Sequence, residues 1–144
     1  MNSITITQEF NTSLESIFEL LSKHATYNQV FAPIQVVRIK ESADPQRPDG
    51  VGSVRKMGLG PVKPIQEEII VVEVNQRIEY KIIKNPLIKH HLGIIQFKAL
   101  SADKTQVIYT IELQARAPFV SKLILAQLKL AITLGFKKLA KTFV

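Results

Sequence analysis

The sequence predicts an α+β fold in which a seven-stranded antiparallel sheet curves round one long C-terminal helix. Seven segments alternate apolar and polar residues with the two-residue period of strands. The connections between the last six segments are short, which favours neighbouring antiparallel strands. Residues 119–142 form the longest apolar run of the chain. Only a helix over this run is long enough to cover one face of such a sheet.

The N-terminal part predicts one strand followed by two short helices. Apolar residues alternate with polar ones over residues 4–10, as in a strand with one buried face. Capping residues 11–13 precede apolar residues at helical spacing over residues 14–23. Residues 24–32 predict a second short helical turn, which Pro33 ends.

The remaining six strands lie between clusters of turn-forming residues. The first loop contains Asp44-Pro45 and Pro48-Asp49-Gly50, and Asn75-Gln76 forms a later turn. Alternation places Tyr80 and Tyr109 on the inward faces of their strands. The predicted strands span residues 34–41, 51–57, 65–74, 77–84, 89–100 and 105–116.

The long helix has an apolar face and a lysine-bearing face. Lys122, Lys129 and Lys137 share one side of a 3.6-residue wheel. Lysines and Gln127 interrupt the run, so a core helix is favoured over a membrane span of about 20 uncharged residues. The middle of the predicted buried face consists of Val120, Ile124, Leu128, Ala131 and Gly135.

Two small residues on that face, Ala131 and Gly135, lie four positions apart. Either they leave space for a ligand, or they let the helix approach the sheet closely. The wheel alone supports both interpretations.

Composition predicts one domain over residues 1–144. The chain is 46% hydrophobic and can bury a sizeable core. It has no cysteine, which excludes disulfides and thiolate chemistry. The N-terminus lacks the basic start and long apolar core of a secretory signal, so a cytoplasmic location is predicted.

The formal charge of +7 raises nucleic acid and anionic membranes as partner classes. The densest basic group, Lys137, Lys138 and Lys141, lies near a helix C-terminus, where cations are favoured. No aromatic residues interleave with it to stack on bases. We therefore predict no nucleic-acid partner, and retain weak contact of the lysine-bearing helix face with an anionic membrane as an alternative.

Glu67 and Glu68 are adjacent on a predicted strand, so only one of them points inward. Alternation with Ile70, Val72 and Val74 places Glu68 inside. An inward carboxylate has a raised pKa unless Arg55 or His91 pairs with it.

No metal, cofactor or nucleotide site is predicted. His90 and His91 point to opposite faces of a strand and do not jointly hold one ion. The serines lie in no nucleophile-elbow pattern, and the Gly58-Leu59-Gly60-Pro61 segment lacks the spacing of a phosphate loop.

Several segments, taken in order, resemble a known family over nearly the whole chain. They are LESIFELLS, GVGSVRKM, IQEEI, RIEYKI and the closing helix. In order and spacing they resemble the helix-grip fold of the START-like (SRPBCC) superfamily, in its polyketide cyclase/dehydrase and lipid-transport branch. The resemblance implies an apolar cavity between sheet and helix that holds lipids, hormones, quinones or polyketides.

A sharper local likeness involves GSVRKMGLGP at residues 52–61 and HHL at residues 90–92. These segments resemble the gate and latch loops of the plant abscisic-acid receptors in that superfamily. The likeness implies that Leu59 lies over the cavity mouth with His91 beside it, and that Glu67 is the inward glutamate, which a β-bulge would reconcile with the alternation. Those receptors bind the ligand carboxylate with a lysine that is replaced here near Asn28, so the likeness implies a gated cavity and not the hormone.

The sequence thus predicts binding or transport of a hydrophobic small molecule, a lipid, polyketide or aromatic compound, between the sheet and the C-terminal helix. The alternative is a cyclase or dehydratase that uses an inward Glu or His as general acid or base. No oligomeric state is predicted. The predicted ligand contacts are Arg55, Met57, Leu59, Glu67, Glu68, Tyr80, His91, Tyr109, Ile124, Gln127, Leu128 and Ala131.

Overall fold

The computed structural model describes residues 2–143. A 3-10 turn over His24–Thr26 joins the two short helices. The elements in chain order are β1 (Asn2–Phe10), α1 (Leu14–Leu21), α2 (Tyr27–Val30), β2 (Gln35–Lys40), β3 (Val54–Leu59), β4 (Val62–Glu73), β5 (Arg77–Ile83), β6 (Ile88–Ser101), β7 (Lys104–Ala115) and α3 (Pro118–Lys141).

The seven strands form one antiparallel sheet in the order β1-β7-β6-β5-β4-β3-β2. Consecutive strands from β2 to β7 are neighbours, while β1 pairs with β7 over its whole length. α3 follows β7 and packs along β1 and β7. The predicted fold class is therefore confirmed, including the two short helices after the first strand.

The segment predicted as a glycine-framed loop is the tip of a tight hairpin. Leu59 pairs with Val62 across Gly60-Pro61, and Gly60 has a φ of 55°. A positive φ at the first turn position suits the primed turns that close two-residue hairpins. Strand β3 therefore reaches Leu59 and β4 begins at Val62, where periodicity predicted residues 57 and 65.

A bulge in β4 decides which glutamate points inward. The β4–β5 register shifts between Ile69 and Val71, so Ile70 is the extra residue. Glu67 is 4% exposed, whereas Glu68 is half-buried. Alternation counted back from Ile70 predicted Glu68 inside and is wrong because it crosses the bulge.

The buried face of α3 is rotated from the predicted one. Ile124, Leu128 and Ala131 are half-buried at its border. Phe136 lies near its centre, with its ring 5.6 Å from that of Phe10 and 5.9 Å from that of Tyr109. The fully buried residues are Ser121, Leu125, Ile132, Gly135, Phe136 and Leu139.

The surroundings of Gly135 decide whether this small residue of α3 leaves space for a ligand or allows a close approach of the helix. A side-chain Cβ at this position would lie 2.8 Å from the Cα of Val30 and would overlap its carbonyl oxygen. Gly135 therefore lets α3 approach α2 closely. Close approach is the correct interpretation, and the partner is a helix rather than the sheet.

By length and composition α3 is apolar enough to cross a membrane. The lysines and Gln127 within the helix had predicted the opposite. In the structure it packs against the sheet and α2, yet only 28% of its most apolar 18-residue window is buried. Much of its apolar surface is thus left uncovered by the molecule.

Candidate ligand-binding cavity

A cavity of about 550 Å³ lies between the inner face of the sheet and the N-terminal half of α3. Its volume is within the range of about 300–1,000 Å³ that small-molecule sites occupy. The sheet contributes Met57, Ile65, Ile82, Ile111 and Leu113, and α3 contributes Ile124 and Leu128. Among the described side chains that line it, those of Glu67, Tyr80 and His91 alone carry polar groups.

The mouth of the cavity lies beside the β3–β4 hairpin. Leu59 and Val62 both line the cavity and flank the two-residue turn. They are 57% and 66% exposed, so apolar side chains project into solvent at the opening. Leu59 therefore lies between the cavity and solvent.

Glu67 is held from behind by Arg55, its cross-strand partner in the β3–β4 register. The Nε of Arg55 donates a hydrogen bond to Oε1 of Glu67 at 2.9 Å, and Nη2 lies 2.8 Å from the same oxygen. The Arg55 guanidinium lies 4.5 Å from the ring centre of Tyr27 and 4.7 Å from that of Tyr80. Arg55 is thus enclosed by aromatic rings and does not line the main cavity.

This arrangement keeps Glu67 unusually basic for a carboxylate. Burial raises the pKa of Glu67 above its ordinary value, and the charge and hydrogen bond of Arg55 offset only part of the rise. Burial alone would lower the pKa of Arg55. Glu67 and the neighbouring tyrosines raise this pKa by more than burial lowers it, so Arg55 stays charged. Within residues 2–143, the side-chain hydrogen bond to the Glu67 carboxylate is made to Oε1, and Oε2 receives none.

His91 is the second polar group of the cavity and is neutral. Its Nδ1 accepts the backbone N–H of Ile82 at 2.9 Å, which places the ring proton on Nε2. Burial, with a smaller contribution from the Arg55 charge, lowers the pKa of His91 to about 3. The Nε2–H of a neutral His91 is therefore a hydrogen-bond donor at physiological pH.

Tyr80 lines the cavity, and Tyr109 lies behind it. Their hydroxyl groups are hydrogen-bonded to each other, and burial raises both pKa values well above the ordinary value. Tyr109 is completely buried. The hydrogen bond gives each buried hydroxyl group a partner. The raised pKa values keep both tyrosines protonated at neutral pH.

Seven predicted contact residues line the cavity: Met57, Leu59, Glu67, Tyr80, His91, Ile124 and Leu128. The other five do not. Arg55 and Tyr109 lie behind the polar wall, and Glu68 is on the other side of β4. Gln127 is exposed and Ala131 lies outside the cavity, because the buried face of α3 is rotated from the one the wheel predicted.

The cavity-lining residues that the sequence did not predict are mostly apolar. Ile82, Ile111 and Leu113 lie on strand faces that alternation marks as inward, so the signal for them was present. Phe31 lies at the end of the predicted helical turn and Ile34 begins the predicted strand over residues 34–41, but neither assignment indicated that these residues line the cavity.

A smaller cavity of about 170 Å³ lies on the other side of the Arg55–Glu67 pair, under the loop before β3. There Nε2 of His24 is 2.9 Å from Oγ of Ser53, and Asp49 accepts the backbone N–H of His24 at 2.9 Å. The Asp49 carboxylate also lies closest to Nε2, at 3.9 Å, and not to Nδ1 as in a catalytic triad. This cluster fixes the loop to the 3-10 turn.

Nowhere in residues 2–143 do three His, Asp or Glu side chains gather as a metal site would require.

A sheet wrapped against one long helix, with an apolar cavity between them, defines the helix-grip class of proteins. The chain matches the family described as polyketide cyclase / dehydrase and lipid transport over residues 1–144, and it belongs to that family. This confirms the family resemblance of the sequence. No curated protein matches the chain.

Several solved structures share the fold at low sequence identity. The Zhui aromatase/cyclase from Streptomyces sp. R1128 superposes with a TM-score of 0.75 at 15% identity, covering 97% of this chain and 93% of its own. Norcoclaurine synthase from Thalictrum flavum, in complex with dopamine and hydroxybenzaldehyde, gives 0.68 at 17% identity, with 99% and 88% covered. A START superfamily protein from Mycobacterium smegmatis gives 0.64 at 18% identity, with 95% and 98% covered.

Proposed function

We propose that this protein binds a hydrophobic small molecule in the cavity between the sheet and α3. The observation that carries the proposal is the cavity itself, about 550 Å³ with apolar walls and three polar side chains. A binding role agrees with the family description, which includes lipid transport.

The polar groups indicate what the ligand presents. Glu67 offers a carboxylate oxygen that lacks a donor from the described residues, and His91 offers an N–H donor. The hydroxyl group of Tyr80, the third polar side chain of the wall, is already hydrogen-bonded to that of Tyr109. The proposed ligand therefore has a largely apolar body and a polar end with both a hydroxyl and a carbonyl, as phenols, enols and hydroxy-ketones have.

Titration with N-phenyl-1-naphthylamine, an apolar fluorescent probe, tests the cavity directly. The parent chain contains no tryptophan, so the two variants below carry one tryptophan each and have the same number of these fluorophores. Leu128→Trp narrows the cavity and should strongly weaken probe binding, because Leu128 lines it. Gln127→Trp is the matched control, since Gln127 is the exposed neighbour on the same helix. Equal binding by both variants would place the probe elsewhere.

Native mass spectrometry after gentle purification, together with thermal shifts across a panel of lipids and aromatic polyketides, tests the function. A ligand that binds the folded state raises the melting temperature by mass action. A ligand-free spectrum with no shift for any compound would overturn the proposal. A Leu128→Trp protein with a native circular dichroism spectrum and no shift shows that the responses of the parent arise in the cavity.

The second candidate function is a cyclase or dehydratase activity, which the raised pKa of Glu67 at the cavity wall favours. The Glu67 carboxylate would take a proton from a carbon between two carbonyls, and that carbanion would attack another carbonyl of the same substrate. The protonated Glu67 would then return its proton to the new alkoxide. His91 would donate its Nε2–H to the carbonyl oxygen on which charge develops.

Glu67→Gln should abolish turnover of an aromatic polyketide mimic, since the amide accepts no proton. Glu68→Gln is the matched control, because Glu68 is adjacent in sequence but faces away from the cavity. Probe binding that persists in Glu67→Gln shows that the cavity is intact. A parent protein without turnover would rule out the enzymatic function and leave the binding function standing.

A further inference from the structure

α3 carries an apolar stripe on the side directly opposite the core. Phe119, Leu123, Leu130 and Leu134 are 75%, 60%, 63% and 50% exposed, and Ala126 between them is also exposed. Their spacing of three or four residues keeps them on one face of the helix. From residue 119 to 134 the stripe extends for about 22 Å. Single exposed apolar residues are ordinary, but a continuous row of this length indicates a partner.

Positive charge surrounds the stripe, and the helix carries no negative charge. Lys122 and Lys129 flank one side, and Lys137, Lys138 and Lys141 continue the same face beyond Leu134. All five lysines are exposed, and residues 118–143 contain no aspartate or glutamate. A second copy of this helix would bring lysines against lysines, whereas paired helices usually set lysine against glutamate beside an apolar seam.

Apolar side chains are also exposed beside the cavity. Leu59 and Val62 line it, and exposed Leu87 precedes Ile88, which lines it as well. The carbonyl of Leu87 accepts the backbone N–H of Arg116 just before α3 begins, so this exposed leucine lies near the start of the helix.

We propose that the outer face of α3 docks on an anionic membrane surface, with the apolar stripe in the acyl boundary and the lysines at the lipid phosphates. An apolar stripe flanked by lysines is the pattern by which helices lie in a membrane interface. Lysines near an anionic leaflet add attraction that weakens with salt. The docking itself does not depend on the ligand proposed above.

Vesicle sedimentation tests the proposal with the full chain. Binding should be strong to phosphatidylcholine vesicles that contain phosphatidylglycerol, weak to phosphatidylcholine alone, and reduced by salt. Leu123→Gln/Leu130→Gln removes apolar area without changing charge, and Lys122→Gln/Lys129→Gln removes charge without changing the stripe. Each pair should lower partitioning by about tenfold or more at low salt. All four positions are exposed, so circular dichroism should stay native.

Matched controls exist on the edge strand β2 and on the central strands β5 and β6. Val37→Gln/Ile39→Gln removes two apolar side chains that are 44% and 46% exposed at the far edge of the sheet, and should leave binding unchanged. Lys81→Gln/Lys98→Gln removes two exposed charges away from α3 and should have a much smaller effect. Equal binding to both vesicle types, or binding that survives either α3 substitution, would overturn the proposal. A dimer in light scattering that Leu123→Gln/Leu130→Gln dissociates, without vesicle binding, would assign the face to a second copy instead.

Discussion

The ring of Tyr80 lies directly over Gly93, its cross-strand partner on β6. A Cβ at position 93 would overlap the ring and would lie 2.7 Å from the Tyr80 hydroxyl oxygen. Tyr80 is 1% exposed, and its hydroxyl group is hydrogen-bonded to that of Tyr109. Gly93 thus allows an aromatic side chain to lie flat on the sheet between the cavity and Tyr109.

Gly93→Ala should therefore destabilise the protein by about 1–3 kcal/mol, the usual effect of overpacking a core. Urea unfolding of the single variant measures this loss. In a Tyr80→Ala background the added methyl has room, so the same substitution should cost much less, and the double-mutant cycle should show strong coupling. Additive effects would mean that Gly93 serves the backbone and not the ring of Tyr80.

Gly135→Ala tests the contact between α3 and α2. Alanine stabilises a helix interior by about 1 kcal/mol relative to glycine. Overlap with the backbone of Val30 should outweigh this gain and give a net destabilisation of about 1–3 kcal/mol in urea unfolding. A variant more stable than the parent would contradict the close approach. Probe affinity should change little, because Gly135 does not line the cavity.

The order of elements was predictable because the strand segments show period-two alternation and clusters of turn-forming residues separate them. The β3–β4 boundaries were missed because Gly58-Leu59-Gly60-Pro61 suggests a loop, whereas a two-residue turn lets both strands continue to Leu59 and Val62. The choice of Glu67 was predictable only by family likeness. The bulge at Ile70 lies where the loop before β3 contacts β4: the backbone N–H of Gly52 donates a hydrogen bond to the carbonyl oxygen of Ile69 at 2.8 Å. This contact joins residues that are distant in sequence, so local alternation could not predict the bulge.

The buried face of α3 was mispredicted for a different reason. A wheel assigns the apolar centre by counting residues, and Phe119, Leu123, Leu130 and Leu134 make the outer face nearly as apolar as the inner one. The orientation is set by Gly135 against Val30 and by Phe136 against Phe10. Neither contact leaves a local signal, since both partners of α3 lie more than 100 residues away in sequence.

Removing either partner of the Arg55–Glu67 pair should be strongly destabilising. The two side chains are 1% and 4% exposed, so either one alone is an uncompensated buried charge. Arg55→Met should cost about 3–5 kcal/mol in urea unfolding, whereas Arg55→Met/Glu67→Met should recover much of that loss because no charge is left buried. A double variant as unstable as the sum of the two singles would show that the pair is not coupled.

Stability should fall as the pH is lowered from neutral, because two histidines are buried in the neutral form. Burial lowers the pKa of His24 to about 4 and that of His91 to about 3, against an ordinary value of 6.5. Between these values and 6.5 the unfolded chain binds more protons than the folded one, so acid favours unfolding. Glu67 acts in the opposite sense above its ordinary pKa, since its raised pKa favours a proton in the folded state. The free energy of unfolding should drop by about 2–4 kcal/mol from pH 7 to pH 5.

The slope of stability against pH distinguishes this cause from a general acid effect. His24→Gln and His91→Gln should each remove about half of the histidine contribution, whatever each does to stability at neutral pH. Glu67→Gln should steepen the fall, because it removes the opposing titration. Urea unfolding at closely spaced pH values gives the slopes. A parent protein equally stable at pH 7 and pH 5, or histidine variants with the parental slope, would show that neither ring is held neutral by the fold.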